Sequence, residues 1–242
     1  MRPRFVGRLG PADFVTVSNA VLGFVAVFVA PGDPRLAARL VLLAAIADGL
    51  DGVVARHVRS TPVGTHLDSL ADVVSFGVAP ALIVSAYAIE AWTLSGTASP
   101  RVVLAVGIPA LFVGMVVVRL GLYAVYDADD HHTEGVPSTL AATLLAAAVL
   151  AIDGPLGGFA FGPLLLVGAA LLTYLMVTTV TYPDLLPRDA FIMGAVQALA
   201  VAFPGAVGRT FPYALLTLAV AYLLLAPRFY WRPPPNGAEG KR

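Results

Sequence analysis

Apolar residues run along the chain in long unbroken blocks, at about 13–30, 36–57, 69–93, 101–126, 137–152, 161–181, 190–203 and 211–226. None of them alternates apolar with polar positions, so each predicts a helix and not a strand. The longer blocks reach about 20 residues, the length that crosses a ~30 Å hydrocarbon core. Pro31-Gly32, Thr61-Pro62, the polar run Asp127 to Gly135, Asp153-Gly154-Pro155, Pro183 and Pro204-Gly205 separate them, as helix-breaking punctuation should. The fifth and seventh blocks are short, and the seventh fits a re-entrant segment as well as a full span. In lipid every backbone polar group needs an internal partner, which leaves only helices and closed barrels. The pattern predicts an all-α polytopic bundle of about eight spans.

Composition agrees. Of 242 residues, 58% are hydrophobic and only 12% charged, against about 25% charged in a soluble domain. The block Phe14 to Ala30 resembles a signal sequence in length, but no A-x-A-like site and polar mature domain follow it. The lack of cysteine removes thiolate and disulfide chemistry. A net charge of zero gives no basic face for nucleic acid.

Arginine and lysine set an orientation. With the N-terminus inside, the cytoplasmic ends carry Arg2, Arg4, Arg8, Arg56, Arg59, Arg188, Arg228, Arg232, Lys241 and Arg242. The opposite side carries Arg35, Arg39, Arg101 and Arg209, so both termini are expected in the cytoplasm of a cell-membrane protein. The tail around Pro233-Pro234-Pro235 is expected to be disordered, and no internal repeat is evident.

The stretch "DGLDGVVARHVRSTPVGTHLDSLADVVSFG", Asp48 to Gly77, breaks the apolar pattern. Asp48 and Asp51 are three apart near the end of the second block, and Asp68 and Asp72 four apart at the start of the third, so each pair shares a helix face. The short linker brings the two faces together, with Gly49, Gly52 and Gly64 allowing close approach. Four carboxylates near a membrane surface are costly, and Arg56 and Arg59 compensate only part of their charge. Two divalent cations would compensate the rest, and an all-oxygen donor set suits Mg²⁺ or Mn²⁺. Such an ion pair is a clamp for displacement at phosphorus. Helix capping offers a plainer account of Asp68 and Asp72, which this pattern places in a first turn. It offers none for Asp48 and Asp51, which lie at the wrong end of their helix.

The spacing Asp48-x2-Asp51-Gly52-x2-Ala55-Arg56-x7-Gly64-x3-Asp68-x3-Asp72 resembles the signature of the CDP-alcohol phosphotransferase family, membrane enzymes of phospholipid synthesis. The seven residues between Arg56 and Gly64 are fewer than that family usually has, which alters the linker and leaves the helix-borne aspartates in register. "LDSLADVVSFGVAP" at 67–80, "TVSNAVLGFVAV" in the first block, "VRL" at 118–120, "EGVPSTLAA" at 134–142 and "MVTTVTYP" at 176–183 look like its phosphatidylserine synthase branch.

The resemblance covers about residues 13–183. It implies a six-helix catalytic core there, after an N-terminal segment at 1–12, with two additional helices at 184–226 and a tail at 227–242. It further implies that Asp48, Asp51 and Asp68 ligate metal, with Asp72 a ligand of the second ion and the general base. Gly52 and Arg56 would contact the CDP phosphates, while Ala55 and Gly64 leave room for the nucleotide. The implied substrates are CDP-diacylglycerol or CDP-archaeol and L-serine, with CMP as leaving group and a homodimer as the assembly.

Arg119, inside the fourth block, needs a partner: the serine carboxylate or a phosphate on one reading, an acidic residue on another. Ser60 and Thr61 could touch a phosphate or cap the next helix. Asn19, an amide in an apolar span, wants a neighbouring helix or the nucleotide. "DADDHHTEG" at 127–135 reads as a solvated loop, His57 and His66 as surface residues, and Trp92, Trp231 and Tyr230 as interfacial aromatics. Two alternatives stay open. One is the same chemistry with inositol phosphate or glycerol phosphate as acceptor, for which basic residues are scarce. The other is a cation transporter, which predicts midplane carboxylates and repeated halves.

Overall fold

A computed structural model describes residues 9–57, 61, 63–93, 99–127 and 132–230, without the side chains of 51–57 and 127. Among these residues the chain forms eight helical rods and a small ribbon. Helix α1 spans Pro11–Val29 and α2 spans Pro34–His57. The third rod is composite: α3 (Gly64–Asp72), a π-helical stretch at Val73–Val78, and α4 (Ala79–Ala91). Helix α5 (Pro100–Leu122) runs into a second π-helical stretch at Tyr123–Asp127. Helices α6 (Ser138–Ala151), α7 (Phe161–Leu175), α8 (Pro187–Ala202) and α9 (Thr210–Phe229) complete the bundle.

The helices alternate in direction, and side-chain bonds tie each end of the bundle. At the end where α2 finishes and α3 begins, the linkers α5–α6 and α7–α8 pair as an antiparallel ribbon. Its strands are β1 (His132–Glu134) and β2 (Thr181–Pro183), with Thr133 opposite Tyr182. The Tyr222 hydroxyl on α9 donates to the Pro183 carbonyl at 2.5 Å, and the Tyr182 hydroxyl donates to Leu223 O. At the opposite end Asp153, in the α6–α7 loop, accepts from Arg35 at the start of α2 and from Arg209 before α9. These guanidinium groups, Arg35 foremost, hold the exposed Asp153 carboxyl below its ordinary range.

Helix α6 is the central rod, with 12 of its 14 residues buried. It is apolar on all sides, as a helix enclosed by others must be, and its alanines let neighbours approach. Among the described residues, four segments are long and apolar enough to cross a membrane: Pro11–Val29, Gly64–Ala91, Pro100–Tyr126 and Ala206–Phe229. Helix α2 has 24 residues but carries the carboxylates. Helices α6, α7 and α8 have 14 to 16 residues, roughly 21–24 Å at 1.5 Å per residue. Phe24, Phe28, Val103 and Leu111 face outward on the long helices, which suits hydrocarbon and not water. The chain is an integral membrane protein.

Four sequence expectations change. The sixth block was expected to run to 181, but α7 ends at Leu175: Thr178 turns its hydroxyl onto Leu175 O at 2.8 Å, and the chain then extends into β2. The loop at 127–135 is not wholly solvated, because His132–Glu134 is a strand with Thr133 buried. Helix α3 starts at Gly64, five residues before the third block, which moves Asp68 and Asp72 out of its first turn. Helix α9 also extends to Phe229, beyond the expected 226, and residues 231–242 lie outside the described ones.

Candidate active site

The carboxylates lie where α2 ends and α3 begins. Asp48, Asp68 and Asp72 each offer an oxygen, and these oxygens lie within 4.8 Å of one another. Asp48 and Asp68 are partly buried and Asp72 is 7% exposed. With neither Asp68 nor Asp72 in a first turn, the helix dipole does not account for the grouping.

Oxygens on opposite sides of a hard cation bound at 2.1–2.6 Å are about 4–5 Å apart. The triad therefore has the spacing and donor type to hold a divalent cation. Asp51, Gly52, Ala55 and Arg56 lie on the same helix, but their side chains, like Ser60, lie outside the described residues.

Helix α1 supplies the other wall. Asp13, Thr16, Asn19, Gly23 and Ala26 form its buried stripe, polar at the N-terminal end and apolar at the other. Gly23 lets α1 approach closely, since a Cβ there would meet Ser75 Oγ at 2.4 Å. The Ser75 hydroxyl in turn donates to the Asn19 carbonyl at 2.8 Å. Ser75 lies three residues beyond Asp72, within the π-helical stretch, where Ala79 N–H reaches back five residues to Val74 O. Wide turns of this kind recur beside functional groups. Asn19 itself is fully buried, and neither polar atom of its amide has a hydrogen-bond partner among the described residues. An amide so placed is a rarity that calls for a ligand or water.

Asp13 was not among the residues singled out from the sequence. It is 2% exposed and accepts from Gly10 N–H at 2.7 Å and from the Thr61 hydroxyl at 2.8 Å, both on Oδ2. Its Oδ1 faces Gly64, where a Cβ would sit only 3.0 Å away. Thr61 thus donates its hydroxyl to Asp13, and the α3 N-cap, Val63, has no side-chain cap. The available signal was Asp13, Thr16 and Asn19 at helical spacing on one face of an apolar block.

Arg119, near the end of α5, is 7% exposed. It donates to Thr133 Oγ1 at 3.2 Å and stacks over the Tyr123 ring at 5.6 Å. Trp92 is half-buried. Tyr230 does more than line an interface: its hydroxyl accepts from Leu186 N–H at 3.0 Å and donates to Asp189.

Comparison with known proteins joins this geometry to a family. The family described as CDP-alcohol phosphatidyltransferase matches residues 10–182. The chain belongs to that family. A CDP-diacylglycerol–serine O-phosphatidyltransferase of Helicobacter pylori is 35% identical over 182 residues, 71% of each chain. An archaetidylserine synthase of Methanothermobacter thermautotrophicus is 35% identical over 96 residues, 38% of this chain and 41% of that one. The serine transferase of Saccharomyces cerevisiae is 45% identical over 84 residues, 31% of this chain and 30% of its own. The chain is thus a transferase similar to CDP-diacylglycerol–serine O-phosphatidyltransferases, and the transporter reading falls. Helices α8 and α9 lie beyond the matched residues.

Proposed function

We propose that the protein transfers the phosphatidyl, or archaetidyl, group of a CDP-linked lipid to L-serine and releases CMP. The convergence of Asp48, Asp68 and Asp72 carries the reading, in a chain 35% identical over 71% of its length to a named serine transferase. Asp48, Asp51, Asp68 and Asp72 would hold two divalent cations, Mg²⁺ or Mn²⁺, with Asp72 a ligand of the second. Bound cations would supply neutralisation of charge at the pyrophosphate.

The chain's own groups do the rest. Gly52 and Arg56 orient the CDP phosphates, with Ser60 and Thr61 at the edge of the same pocket. Ala55 and Gly64 leave room for the nucleotide. Asp72, buried against water, takes the proton of the serine hydroxyl. That oxygen forms its bond to the lipid-side phosphorus while the bond from phosphorus to CMP breaks, and CMP leaves with the electron pair. Positioning and charge neutralisation are most of what phosphoryl chemistry demands. Arg119, held at the same end of the bundle, receives the serine carboxylate.

Residues 13–183 form the catalytic core, and α8 and α9, the latter ending at Phe229, are two added helices. The carboxylate end and both termini face the cytoplasm of the cell membrane, so serine arrives from water and the donor from surrounding lipid. The assembly is a homodimer. Incorporation of labelled serine into organic-soluble lipid tests the reading: it should require both CDP-lipid and Mg²⁺ or Mn²⁺. Label that stays in the aqueous phase under all these conditions would refute it.

A further inference from the structure

A proline inside a helix has no N–H to give, so the carbonyl four residues before it loses its helical donor. In hydrocarbon that loss is costly, because no water is present to replace the bond. Among the described residues, two prolines lie beyond the first turn of an α-helix, Pro109 in α5 and Pro227 in α9. The carbonyls they leave are those of Ala105 and Leu223. Each receives a hydroxyl from another element. Ser85 Oγ on α4 donates to Ala105 O at 2.8 Å, and the Tyr182 hydroxyl in β2 donates to Leu223 O at 3.2 Å.

The bond made by Ser85 is not the default for a hydroxyl in an apolar helix. Ser18, Ser69, Thr173 and Thr217 all return theirs to the carbonyl four residues back in their own helix. Ser85 crosses to α5 instead, at a point where it is 8% exposed and Ala105 is fully buried.

Beyond Pro109 lies the end of α5 that bears Arg119. Ala105, Pro109, Phe112, Val116 and Arg119 form one buried stripe along the helix. Val116 packs on the rod that carries Asp72, since a Cβ at Gly77 would stand 3.4 Å from Val116 Cγ1. Arg119 follows one turn later and donates to Thr133. Thr133 is held independently of α5, because β1 pairs with β2 and Tyr182 ties β2 to α9. A turn that lacks a backbone bond is where a helix bends. From Pro109 to Arg119 is ten residues, about 15 Å, so a bend of roughly 5° would carry the guanidinium about 1 Å.

The geometry points to Ser85 as a positioning residue for the acceptor. By supplying the donor that Pro109 cannot, it fixes the bearing of the second half of α5 and so the place of Arg119 beside Thr133. That this bearing governs serine rests on the reading of Arg119 as receiver of the serine carboxylate.

The proline allows a test that separates positioning from ordinary stability. Ser85→Ala should raise KM for serine about tenfold, the size of one misplaced charge-assisted contact, and leave KM for the CDP-lipid nearly as it was. Pro109→Ala returns an N–H to Ala105 O, so Ser85→Ala/Pro109→Ala should restore serine KM. Ser85→Thr keeps a hydroxyl and should keep serine KM as well. If Ser85→Ala does not fold, Ser85→Cys, a weaker donor, should show the same rise at smaller size. Unchanged serine KM in whichever variant folds overturns the inference. So does a rise that Pro109→Ala fails to reverse, or one shared equally by both substrates.

A second measurement needs no acceptor. The chain has no cysteine, so spin labels can be placed at Phe14→Cys on α1 and Leu122→Cys on α5, both exposed positions. Ser85→Ala should broaden the distribution of distances between the labels, and adding Pro109→Ala should narrow it again. If that happens while CMP release requires an alcohol other than serine, the acceptor is refuted and the bearing of α5 stands. A distribution unchanged by Ser85→Ala overturns the inference whatever the acceptor.

Discussion

The Thr61 hydroxyl donates to Asp13 Oδ2 across 2.8 Å and so fastens the linker between α2 and α3 to the first turn of α1. The linker lies between Arg56 and Gly64, residues to which the proposed mechanism gives the nucleotide. Asp13 can serve this way because α1 turns a polar stripe inward at this end and because Gly64 lets its Oδ1 stand close.

Removing the fastening should loosen nucleotide binding more than chemistry. Thr61→Val leaves a buried carboxylate short of a donor, a loss of about 1–3 kcal/mol. KM for the CDP-lipid should rise about tenfold or more with kcat changed far less, and Thr61→Ser should restore it. A fall in kcat alone would show that the linker position is not what Asp13 controls.

The carboxylate triad should be separable from the fold. Asp68→Asn and Asp72→Asn keep side-chain size while removing charge, and each should lower activity by about 100-fold or more. Both should weaken Mn²⁺ binding, read by electron paramagnetic resonance on the unsubstituted and variant proteins. A chelator should abolish activity reversibly. Full Mn²⁺ affinity in both variants would remove the metal from these residues.

Arg119 is held by Thr133 and Tyr123 at the same end of the bundle as the triad. Arg119→Ala should raise KM for serine about tenfold, the loss of one charge-assisted contact. KM for the CDP-lipid should move little. If serine KM is unchanged while activity persists, Arg119 has a structural role only.

The opposite end should respond to pH without affecting the chemistry. Asp153 is held below the usual carboxylate range by Arg35 and Arg209. A depressed folded-state pKa contributes stability above the unfolded value of about 4, and that contribution is lost as pH falls through the folded value. Asp153 is solvent-exposed, so the effect is small, as surface pairs usually are. Asp153→Asn should lower Tm by a few degrees near pH 7, and the two proteins should converge as pH falls below about 4. Kinetic constants should be the same in both.

The helical rods were legible because apolar blocks of this length have no other stable form in lipid. The meeting of Asp48, Asp68 and Asp72 was legible because paired spacings on two helices joined by a short linker allow little else. The ribbon was not. His132–Glu134 and Thr181–Pro183 are three residues each, too short for alternation to register, and their pairing is a tertiary event. Asp13 was hidden because a carboxylate in a first turn looks like ordinary dipole compensation, and its partner Thr61 lies 48 residues away. The start of α3 was misplaced because Thr65 and His66 interrupt the apolar pattern without interrupting the helix. The docking of α8 on α2 depends on Gln197 and Arg39 reaching backbone carbonyls of a partner helix, a choice that local sequence does not encode.

CMP release from a CDP-linked lipid, measured with purified protein and Mn²⁺ or Mg²⁺ against a panel of alcohols, tests the central claim most directly. The account predicts release with L-serine and little with glycerol phosphate or inositol phosphate. Release with a phosphorylated alcohol in place of serine, or with no alcohol in the panel, would contradict it.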